Sequence, residues 1–352
     1  MFDHPDFDGH ERIVHAFDAE SGLRAIVAIH NTALGPSFGG CRMWPYSSIA
    51  LAERDVLRLS RAMTYKSAIC GLPYGGGKSV ILGDPKTMKT PELFKAMGRF
   101  VNRLEGQYIT AEDMNIGVED LEIVRTETKW VTGLSRAAGS SGNPSPYTAR
   151  GCLVGLRAVL EETWGKADFK GKRFLIQGVG AVGGRLAVLL KKEGAVVVIC
   201  DINEERVAQL KKEHGFESVP DKGHVDTPCD VYVPCARGAG LNDETIPRLK
   251  CKAVGGAANN QLLEPRHARD LMQRGILYAP DFVINAGGII NVSIELLPGG
   301  YNEDAANRHI DRIYDNLRKV FEISRKEKIP TSEAAVRLAD ERVMAARKAK
   351  KR

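Results

Sequence analysis

The stretch from Arg173 to Asp201 limits the possible folds more than any other part of this 352-residue chain. An apolar run that ends at Gln177 leads into the turn Gly178-Val-Gly-Ala-Val-Gly183, and a helical run and a second apolar run follow. Strand, glycine turn, helix and strand in this order are typical of one βαβ unit of a parallel sheet. The G-x-G-x-x-G spacing predicts that this unit binds a dinucleotide, because such glycines permit a tight turn and close approach of the pyrophosphate.

The residues of this turn are the predicted dinucleotide contacts: Gly178, Val179, Gly180, Ala181, Val182 and Gly183. A helix that begins at Ala181 would present unpaired N–H groups to the phosphates. Asp201 lies 18 residues after Gly183, where a carboxylate can accept hydrogen bonds from ribose hydroxyls and repel a 2′-phosphate. The sequence therefore predicts NAD rather than NADP, and a second role for Asp201 as the N-cap of the helix near Asn203 is compatible with this.

The length of the chain indicates about two domains, and a segment rich in glycine, serine and proline over residues 138–146 marks the boundary. We expect an N-terminal α/β substrate and oligomerisation domain over residues 1–143 and a doubly wound Rossmann-type domain over 144–324. A C-terminal helix within 325–352 is expected to pack back on the first domain. Further strands are predicted at Asp230–Pro234, Lys252–Gly256 and Ile276–Ile284.

Composition excludes several classes of protein. There is no apolar run long enough to span a membrane and no signal-peptide pattern at the N-terminus, so we expect a cytoplasmic protein without a membrane partner. The net charge of +6 is mild, and the basic end at residues 347–352 is interpreted as a solvated terminus, so we expect no nucleic acid partner. The seven cysteines and eight histidines form no ligand spacing, so we expect neither disulfides nor a metal site.

Two lysines and one aspartate stand out in the first domain. Lys66 lies towards the end of a helix that begins at Ile49, and Lys78 follows three glycines at the start of an apolar strand, after a glycine-bearing loop predicted over 34–42. The glycines around Lys78 lack the spacing of a nucleotide-triphosphate loop, so that function is rejected. Spacing alone leaves open a hairpin turn with an exposed lysine. Asp113 ends the predicted strand from Tyr108, where an acid is either catalytic or a helix cap.

Taken together, these segments resemble the Glu/Leu/Phe/Val amino-acid dehydrogenase family. The similarity runs from about Ile13 to Arg342, and its motifs keep their order along the chain. The motifs that carry it are Leu34-Gly-Pro, Gly39-Gly40, Met63-Thr-Tyr-Lys66, Gly75-Gly-Gly-Lys78, Glu112-Asp113, Gly178-Val-Gly, Pro234-Cys-Ala, Ala258-Asn-Asn-Gln-Leu and Asn285-Ala-Gly-Gly. The resemblance implies a homo-oligomer, either an octamer or a dimer.

The resemblance also implies roles for individual residues. Lys66 is implied to bind the substrate carboxylate with the backbone of Gly39 and Gly40, Lys78 to be the catalytic lysine, and Asp113 to move protons to and from the amine. Because two ammonium groups in one cleft repel, one lysine is expected to act as a base, and Lys78 is the better candidate because the substrate carboxylate keeps Lys66 charged. A further substrate contact is implied at Asn260, and further cofactor contacts are implied at Cys235, Ala236, Asn259 and Asn285.

The implied reaction is reversible NAD-dependent oxidative deamination of an L-amino acid to a 2-oxo acid and ammonia. The positions implied to line the side-chain pocket are Phe38, Ala111, Ile289 and Val292. This apolar set has no cation for a glutamate side chain, so we favour leucine, valine and isoleucine as substrates. An aromatic substrate, phenylalanine or tryptophan, stays open because residues 114–116 resemble the phenylalanine-type members. A catalytically inactive dinucleotide sensor is a remote alternative, since it would not need the two lysines.

Overall fold

The computed structural model describes residues 2–350, so Lys351 and Arg352 of the predicted basic end lie outside the described residues. The described chain divides into two compact units. The first comprises residues 2–143, 292–302 and 339–350, and the second comprises 144–291 and 303–338. This division differs from the predicted domain limits at two segments, 292–302 and 325–338. Among residues 2–350, no helix combines the length and hydropathy that crossing a bilayer requires.

The first unit is built on a five-stranded sheet in the order β1-β2-β4-β3-β5. Its strands are β1 Arg12–Asp18, β2 Leu23–Asn31, β3 Ser37–Trp44, β4 Gly75–Leu82 and β5 Tyr108–Ala111. Its complete helices are α1 Ile49–Cys70, α2 Pro91–Asn102 and α3 Val118–Arg125. Strand β3 runs parallel to both of its neighbours, β4 and β5. Strand β2 runs antiparallel to both of its neighbours, β1 and β4. Helix α1 packs on one face of the sheet, and α2 packs on the other.

The predicted loop over residues 34–42 is wrong from Ser37 onward, because strand β3 begins there. Two consecutive glycines let this strand lie unusually close to its surroundings. A Cβ at Gly39 would lie 1.9 Å from the carbonyl oxygen of Gly77, and a Cβ at Gly40 would lie 2.3 Å from that of Glu112. Since glycines break the alternation of side chains, the strand left no periodic signal in the sequence.

Helix α1 begins after Ser48, whose side-chain oxygen accepts a hydrogen bond from the Leu51 N–H at 3.3 Å. It ends at Gly71, which adopts the left-handed conformation with φ of 66° that suits a C-cap. The helix therefore begins as predicted but continues one turn beyond Lys66. It lies against β4 at Gly76, where a Cβ would be 2.1 Å from the Thr64 nitrogen.

The second unit contains a six-stranded sheet in the order β11-β10-β9-β6-β7-β8, and every pairing in it is parallel. Its strands are β6 Arg173–Gln177, β7 Val196–Cys200, β8 Glu217–Ser218, β9 Val231–Pro234, β10 Ala253–Val254 and β11 Leu277–Tyr278. Its helices include α4 Ser145–Trp164, α5 Gly183–Lys192, α6 Glu204–His214, α7 His267–Gln273, α8 Asp281–Ile284 and α10 Glu303–Glu327. The two-domain α/β fold with a Rossmann-type parallel sheet is confirmed.

The strand predicted over Ile276–Ile284 is wrong after Tyr278, because α8 occupies its second half. Pro280 interrupts the strand, and the Asp281 carboxylate then stabilises the first turn of the helix. One of its oxygens accepts from the Phe282 N–H at 2.7 Å, and the other accepts from the Gln261 N–H at 3.0 Å. An acid in the first turn is favoured by the helix dipole.

Two helices pass from one unit to the other along the chain, α9 Gly287–Ile294 and α11 Thr331–Lys350. From Ala339 onward, α11 belongs to the first unit, where Ala339 and Val343 pack against Ala33 and Ala68. The Arg342 guanidinium there donates to the carbonyl oxygen of Ala68 at 2.9 Å.

Replacing Gly76 by alanine is expected to destabilise the fold by at least about 3 kcal/mol, because the added methyl group would meet the α1 backbone and neither element can yield cheaply. The matched control is Gly117→Ala, since nothing lies within 4 Å of a Cβ at Gly117. Loss of glycine at that helix N-cap costs about 1 kcal/mol. Urea midpoints measure both variants, and equal midpoints would contradict the close packing of α1 on β4.

Candidate active site

Lys78 lies in the middle of β4 with only 4% of its surface exposed. Its Nζ is 2.8 Å from Oδ1 of Asp113, just after the end of β5. This burial excludes the hairpin turn with an exposed lysine. Lys78 thus forms an ion pair with Asp113, an attractive interaction that the predicted repulsion between Lys66 and Lys78 did not include.

The second oxygen of Asp113 binds a residue that the sequence did not single out. The Nε of Arg42 lies 2.7 Å from Asp113 Oδ2, and the Nη1 of the same guanidinium lies 2.9 Å from Oδ2 of Asp55. The Tyr46 hydroxyl donates to that Asp55 oxygen at 2.5 Å. Arg42 stands within the Gly39-Gly40-Cys-Arg segment, but no spacing in the sequence connects it with Asp55 or Asp113.

The ionisation of Asp113 follows from these contacts. Burial raises its pKa, but the charges of Lys78 and Arg42 outweigh burial and hold the pKa at about 2. Asp113 is therefore a carboxylate at neutral pH, and in this arrangement it accepts hydrogen bonds rather than donating a proton. Burial raises the pKa of the adjacent Glu112, and the charges of Asp113 and Glu295 raise it further.

Gly39 and Gly40 bring the β3 backbone close to this ion pair. Gly40 is in register with Ala111 on β5, and a Cβ at Gly40 would lie 2.8 Å from the Cβ of Asp113. Lys66 is half-buried in the last turns of α1, the helix that packs on β4. Glycine at these positions thus lets the β3 backbone lie against the segment of Asp113 without steric overlap.

Three of the four predicted pocket residues belong to the first unit and are buried: Phe38, Ala111 and Val292. The fourth, Ile289, is half-buried in the second unit. Tyr74, which was not predicted, packs its ring 5.7 Å from that of Phe38 and donates to the Ser293 carbonyl oxygen at 3.3 Å.

Glu295 holds the segment that carries Val292 in the first unit. Its carboxylate accepts from the Gly133 N–H at 3.0 Å, from the Ser141 N–H at 2.9 Å and from the Thr132 hydroxyl. Three donors from residues 132–141 thus converge on one carboxylate, which fixes the position of the segment.

In the second unit, two glycines of the predicted turn are required by close packing and one faces open space. Gly178 has a φ of 92°, and a Cβ on it would lie 2.6 Å from that of Ala236. A Cβ on Gly183 would lie 2.0 Å from the Gly178 carbonyl oxygen, whereas nothing lies within 4 Å of one on Gly180. The backbone at Gly180 is thus open to a close ligand, as a dinucleotide pyrophosphate requires.

The helix after this turn, α5, begins at Gly183 with Val182 as N-cap, two residues later than the predicted Ala181. The difference arises because residues 180–182 form a bend and turn before the helical hydrogen bonds begin. The helix thus starts at the last glycine of the predicted turn, Gly183.

Asp201 ties the glycine turn to the end of β7. Its Oδ2 accepts from the Val179 N–H at 2.7 Å, and its Oδ1 accepts from the Asn203 N–H at 2.9 Å. The N-cap of α6 is Asn203, whose side chain accepts from the Arg206 N–H at 3.0 Å. Since each carboxylate oxygen has two lone pairs, Asp201 can still accept from ribose hydroxyls. These residues fit a bound dinucleotide.

The remaining predicted cofactor contacts lie in the segments that follow the carboxyl ends of β9, β10 and β11. The Cys235 N–H donates to the Gln177 carbonyl oxygen at 2.7 Å, which places Cys235 and Ala236 beside the glycine turn. Asn285 is buried, and its amide donates to Oδ1 of Asn259 at 2.8 Å. Asn260 is exposed with a positive φ of 51°. In parallel sheets, ligands bind at this edge.

Two clusters in the second unit bring possible metal-ligand atoms within 4.8 Å of one another in space. One comprises Cys200, Asp221 and His224, and the other comprises Asp243, His267 and Asp270. In the first, both ring nitrogens of the histidine already have hydrogen-bond partners, the Asp221 carbonyl oxygen and the Tyr232 hydroxyl. In the second, Arg266 binds both oxygens of Asp243. Existing contacts thus occupy ligand atoms in each cluster.

Comparisons with known proteins agree with this architecture. A family model described as Glu/Leu/Phe/Val dehydrogenase, dimerisation domain, matches residues 10–130, and one described as Glutamate/Leucine/Phenylalanine/Valine dehydrogenase matches residues 199–351. Together they cover most of the chain, including both lysines and Asp201.

The leucine dehydrogenase of Thermoactinomyces intermedius is 51% identical over 349 residues, which cover 99% of this chain and 94% of that protein. The phenylalanine dehydrogenase of Caldalkalibacillus thermarum is 45% identical over 343 residues, covering 95% and 91%. The crystal structure of L-tryptophan dehydrogenase from Nostoc punctiforme superimposes with a TM-score of 0.87 at 38% identity, covering 97% of each chain. The chain therefore belongs to the Glu/Leu/Phe/Val amino-acid dehydrogenase family and is an amino-acid dehydrogenase.

Proposed function

We propose that the protein catalyses the NAD-dependent, reversible oxidative deamination of branched-chain L-amino acids to 2-oxo acids and ammonia. The observation that carries this proposal is the contact between buried Lys78 and half-buried Asp113, which lie 2.8 Å apart beside glycine-rich strands. A lysine and a carboxylate in contact can handle the protons that leave the amine and the attacking water. The reaction consumes one water and yields ammonium and one proton besides the 2-oxo acid and the reduced cofactor.

In the first unit, Lys66 binds the substrate carboxylate, helped by the N–H groups near Gly39 and Gly40. The α-ammonium group of the substrate takes over Oδ1 of Asp113, which removes the counter-ion from Lys78. A buried lysine without a counter-ion favours its neutral form, because desolvation disfavours the charge. Before the hydride leaves, one proton of the α-ammonium group passes to Asp113. Lys78 then accepts a proton from the water that attacks the iminium carbon. Asp113 returns its proton to the nitrogen of the resulting carbinolamine, and ammonia leaves as the carbinol hydroxyl loses its proton to solvent.

The second unit holds the dinucleotide at residues 178–183, with Asp201 accepting from the adenosine ribose. When bound, the nicotinamide supplies the acceptor for the hydride from the substrate α-carbon. Asn285, which is anchored on Asn259, is the amide proposed to orient the nicotinamide, and Asn260 is proposed to contact the substrate. Asp201 would repel the 2′-phosphate of NADP, which supports NAD as the cofactor.

Substrate preference is proposed from the apolar residues and from the relatives. Phe38, Ala111 and Val292 are buried and offer no charge to the substrate side chain, which supports an aliphatic or aromatic substrate over glutamate. The 51% identity to a leucine dehydrogenase supports branched-chain substrates. The second candidate is an aromatic amino-acid dehydrogenase, which the 45% identity to a phenylalanine dehydrogenase supports.

We also propose that the protein is a homo-oligomer. The match of residues 10–130 to a dimerisation domain supports this. Strand β1 is the edge of the sheet in the first unit and leaves Phe17 76% exposed, and an edge strand with exposed apolar side chains can pair with another chain.

Replacing Asp201 by asparagine is expected to raise the ratio of kcat/KM with NADP to that with NAD by about tenfold or more, because the repulsion of the 2′-phosphate is removed. Asparagine has the same shape and keeps one acceptor for the Val179 or Asn203 N–H. The control is Glu217→Gln, an exposed acid that pairs with Arg173, which should leave the ratio unchanged. An unchanged ratio in Asp201→Asn would mean that Asp201 only stabilises the glycine turn.

Steady-state kinetics with NAD are expected to give a higher kcat/KM for leucine, valine and isoleucine than for phenylalanine and tryptophan. An apolar pocket discriminates about 10- to 200-fold per methylene-sized difference, so minor activity on other apolar amino acids is expected. A higher kcat/KM for an aromatic amino acid would select the second candidate. Absence of turnover with every amino acid would contradict the proposed reaction.

A further inference from the structure

Arg42 lies between two carboxylates and contacts each with a different nitrogen. Its Nε is 2.7 Å from Asp113 Oδ2, and its Nη1 is 2.9 Å from Asp55 Oδ2. Three elements meet there, because Arg42 belongs to β3, Asp55 to α1, and Asp113 to the segment after β5. A planar guanidinium has its donors in a fixed fork, so it can hold both acids at a set distance from each other.

The outer end of this network is itself fixed. The Tyr46 hydroxyl donates to Asp55 Oδ2, the oxygen that Arg42 also contacts. The Arg42 and Asp113 side chains are only 18% and 23% exposed, so solvent screens their interaction less than it screens a surface ion pair. Arg42 is therefore restrained on its far side and directs its Nε at Asp113.

The geometry points to Arg42, held in place by Asp55, as a positioning residue for the dehydrogenase reaction: it fixes the Asp113 carboxylate so that Oδ1 alone faces Lys78 and the substrate amine. This inference rests on the proposed function, in which Asp113 and Lys78 handle protons. The two oxygens of a free carboxylate are interchangeable by rotation. Since Oδ2 is engaged by Arg42, rotation is prevented and Oδ1 keeps one direction.

Arg42 also contributes electrostatically. The charged and titratable groups around Asp113 and Arg42 are Lys78 from β4, Arg42 from β3, Asp55 from α1, the neighbouring Glu112, and Tyr46, Cys41 and Tyr108. Burial alone would raise the pKa of Asp113, and the positive charge of Arg42 opposes that change. Loss of this charge would favour the protonated form of every titrating group nearby.

The sign of the pH effect follows directly. Activity at low pH is lost when a group that must be deprotonated takes up a proton, which forms the acid limb of the kcat/KM profile. Replacing Arg42 by glutamine removes a positive charge, so the acid limb moves to higher pH whichever nearby group sets it. Replacing Asp55 by asparagine removes a negative charge and keeps the positive charge of Arg42, so the limb does not move to higher pH.

The test compares kcat and the pH profile of kcat/KM for Arg42→Gln, Arg42→Lys and Asp55→Asn with those of the unmodified protein, at saturating NAD and varied amino acid. Arg42→Gln is expected to lower kcat about 10²-fold, because the carboxylate loses its orientation, and to move the acid limb to higher pH. Arg42→Lys keeps the positive charge but lacks the planar set of guanidinium donors. It is therefore expected to keep the acid limb at the pH of the unmodified protein and to keep only part of kcat. The control is Arg99→Lys, at an exposed ion pair with Asp18, which should behave as the unmodified protein.

Arg42→Gln with a normal kcat and an unmoved limb would overturn the inference. A merely structural role would also overturn it. In that case the loss of kcat in Arg42→Gln and in Asp55→Asn would be proportional to the loss of thermal stability, and the acid limb would not move in either variant. If Arg42→Gln does not fold, the kcat of Asp55→Asn tests the inference instead. A normal kcat in Asp55→Asn would overturn it, because Asp55 is argued to anchor Arg42.

Asp113→Asn, measured alongside, separates this inference from the proposed function. Normal turnover in Asp113→Asn would contradict the proposed site itself. An inactive Asp113→Asn together with a fully active Arg42→Gln would contradict only the role of Arg42.

Discussion

The buried contact between Lys78 and Asp113 is the interaction on which the organisation of the first unit depends. A lysine that is 4% exposed needs a counter-ion, because an unpaired charge in the interior is strongly destabilising. The surrounding backbone provides the space for this pair. Glycines on β3 and β4 remove the side chains that would separate the strands from α1 and from the end of β5.

The second unit obtains its binding surface by similar means. Gly178 and Gly183 permit contacts between backbone segments that a Cβ would prevent, and Gly180 is open. Asp201 then joins the turn to β7 by accepting from Val179. In both units, close backbone packing sets the position of a carboxylate to which the proposed function assigns a role.

Local signals in the sequence predicted part of this arrangement. The unit from Arg173 to Asp201 was predictable because its glycine spacing, its apolar strand patterns and its helical pattern all lie within one short stretch. Strand β3 was not, because Gly39 and Gly40 read as a loop when their neighbours in space are unknown. Arg42 was missed for a related reason: its partners, Asp55 and Asp113, are distant in sequence, and ion pairs between distant residues follow no period. The late start of α5 reflects turn geometry that the glycine pattern does not encode.

The central claim is that Lys78 and Asp113 act as one catalytic unit, and the most direct test is the kcat of Lys78→Ala, Asp113→Asn and the double variant. The claim predicts that each single variant loses about 10²- to 10⁴-fold in kcat. The double variant should be no slower than the slower single variant, because residues that act as a unit are not additive. A double variant whose loss equals the product of the two single losses would contradict the claim, as would a normal kcat in either single variant.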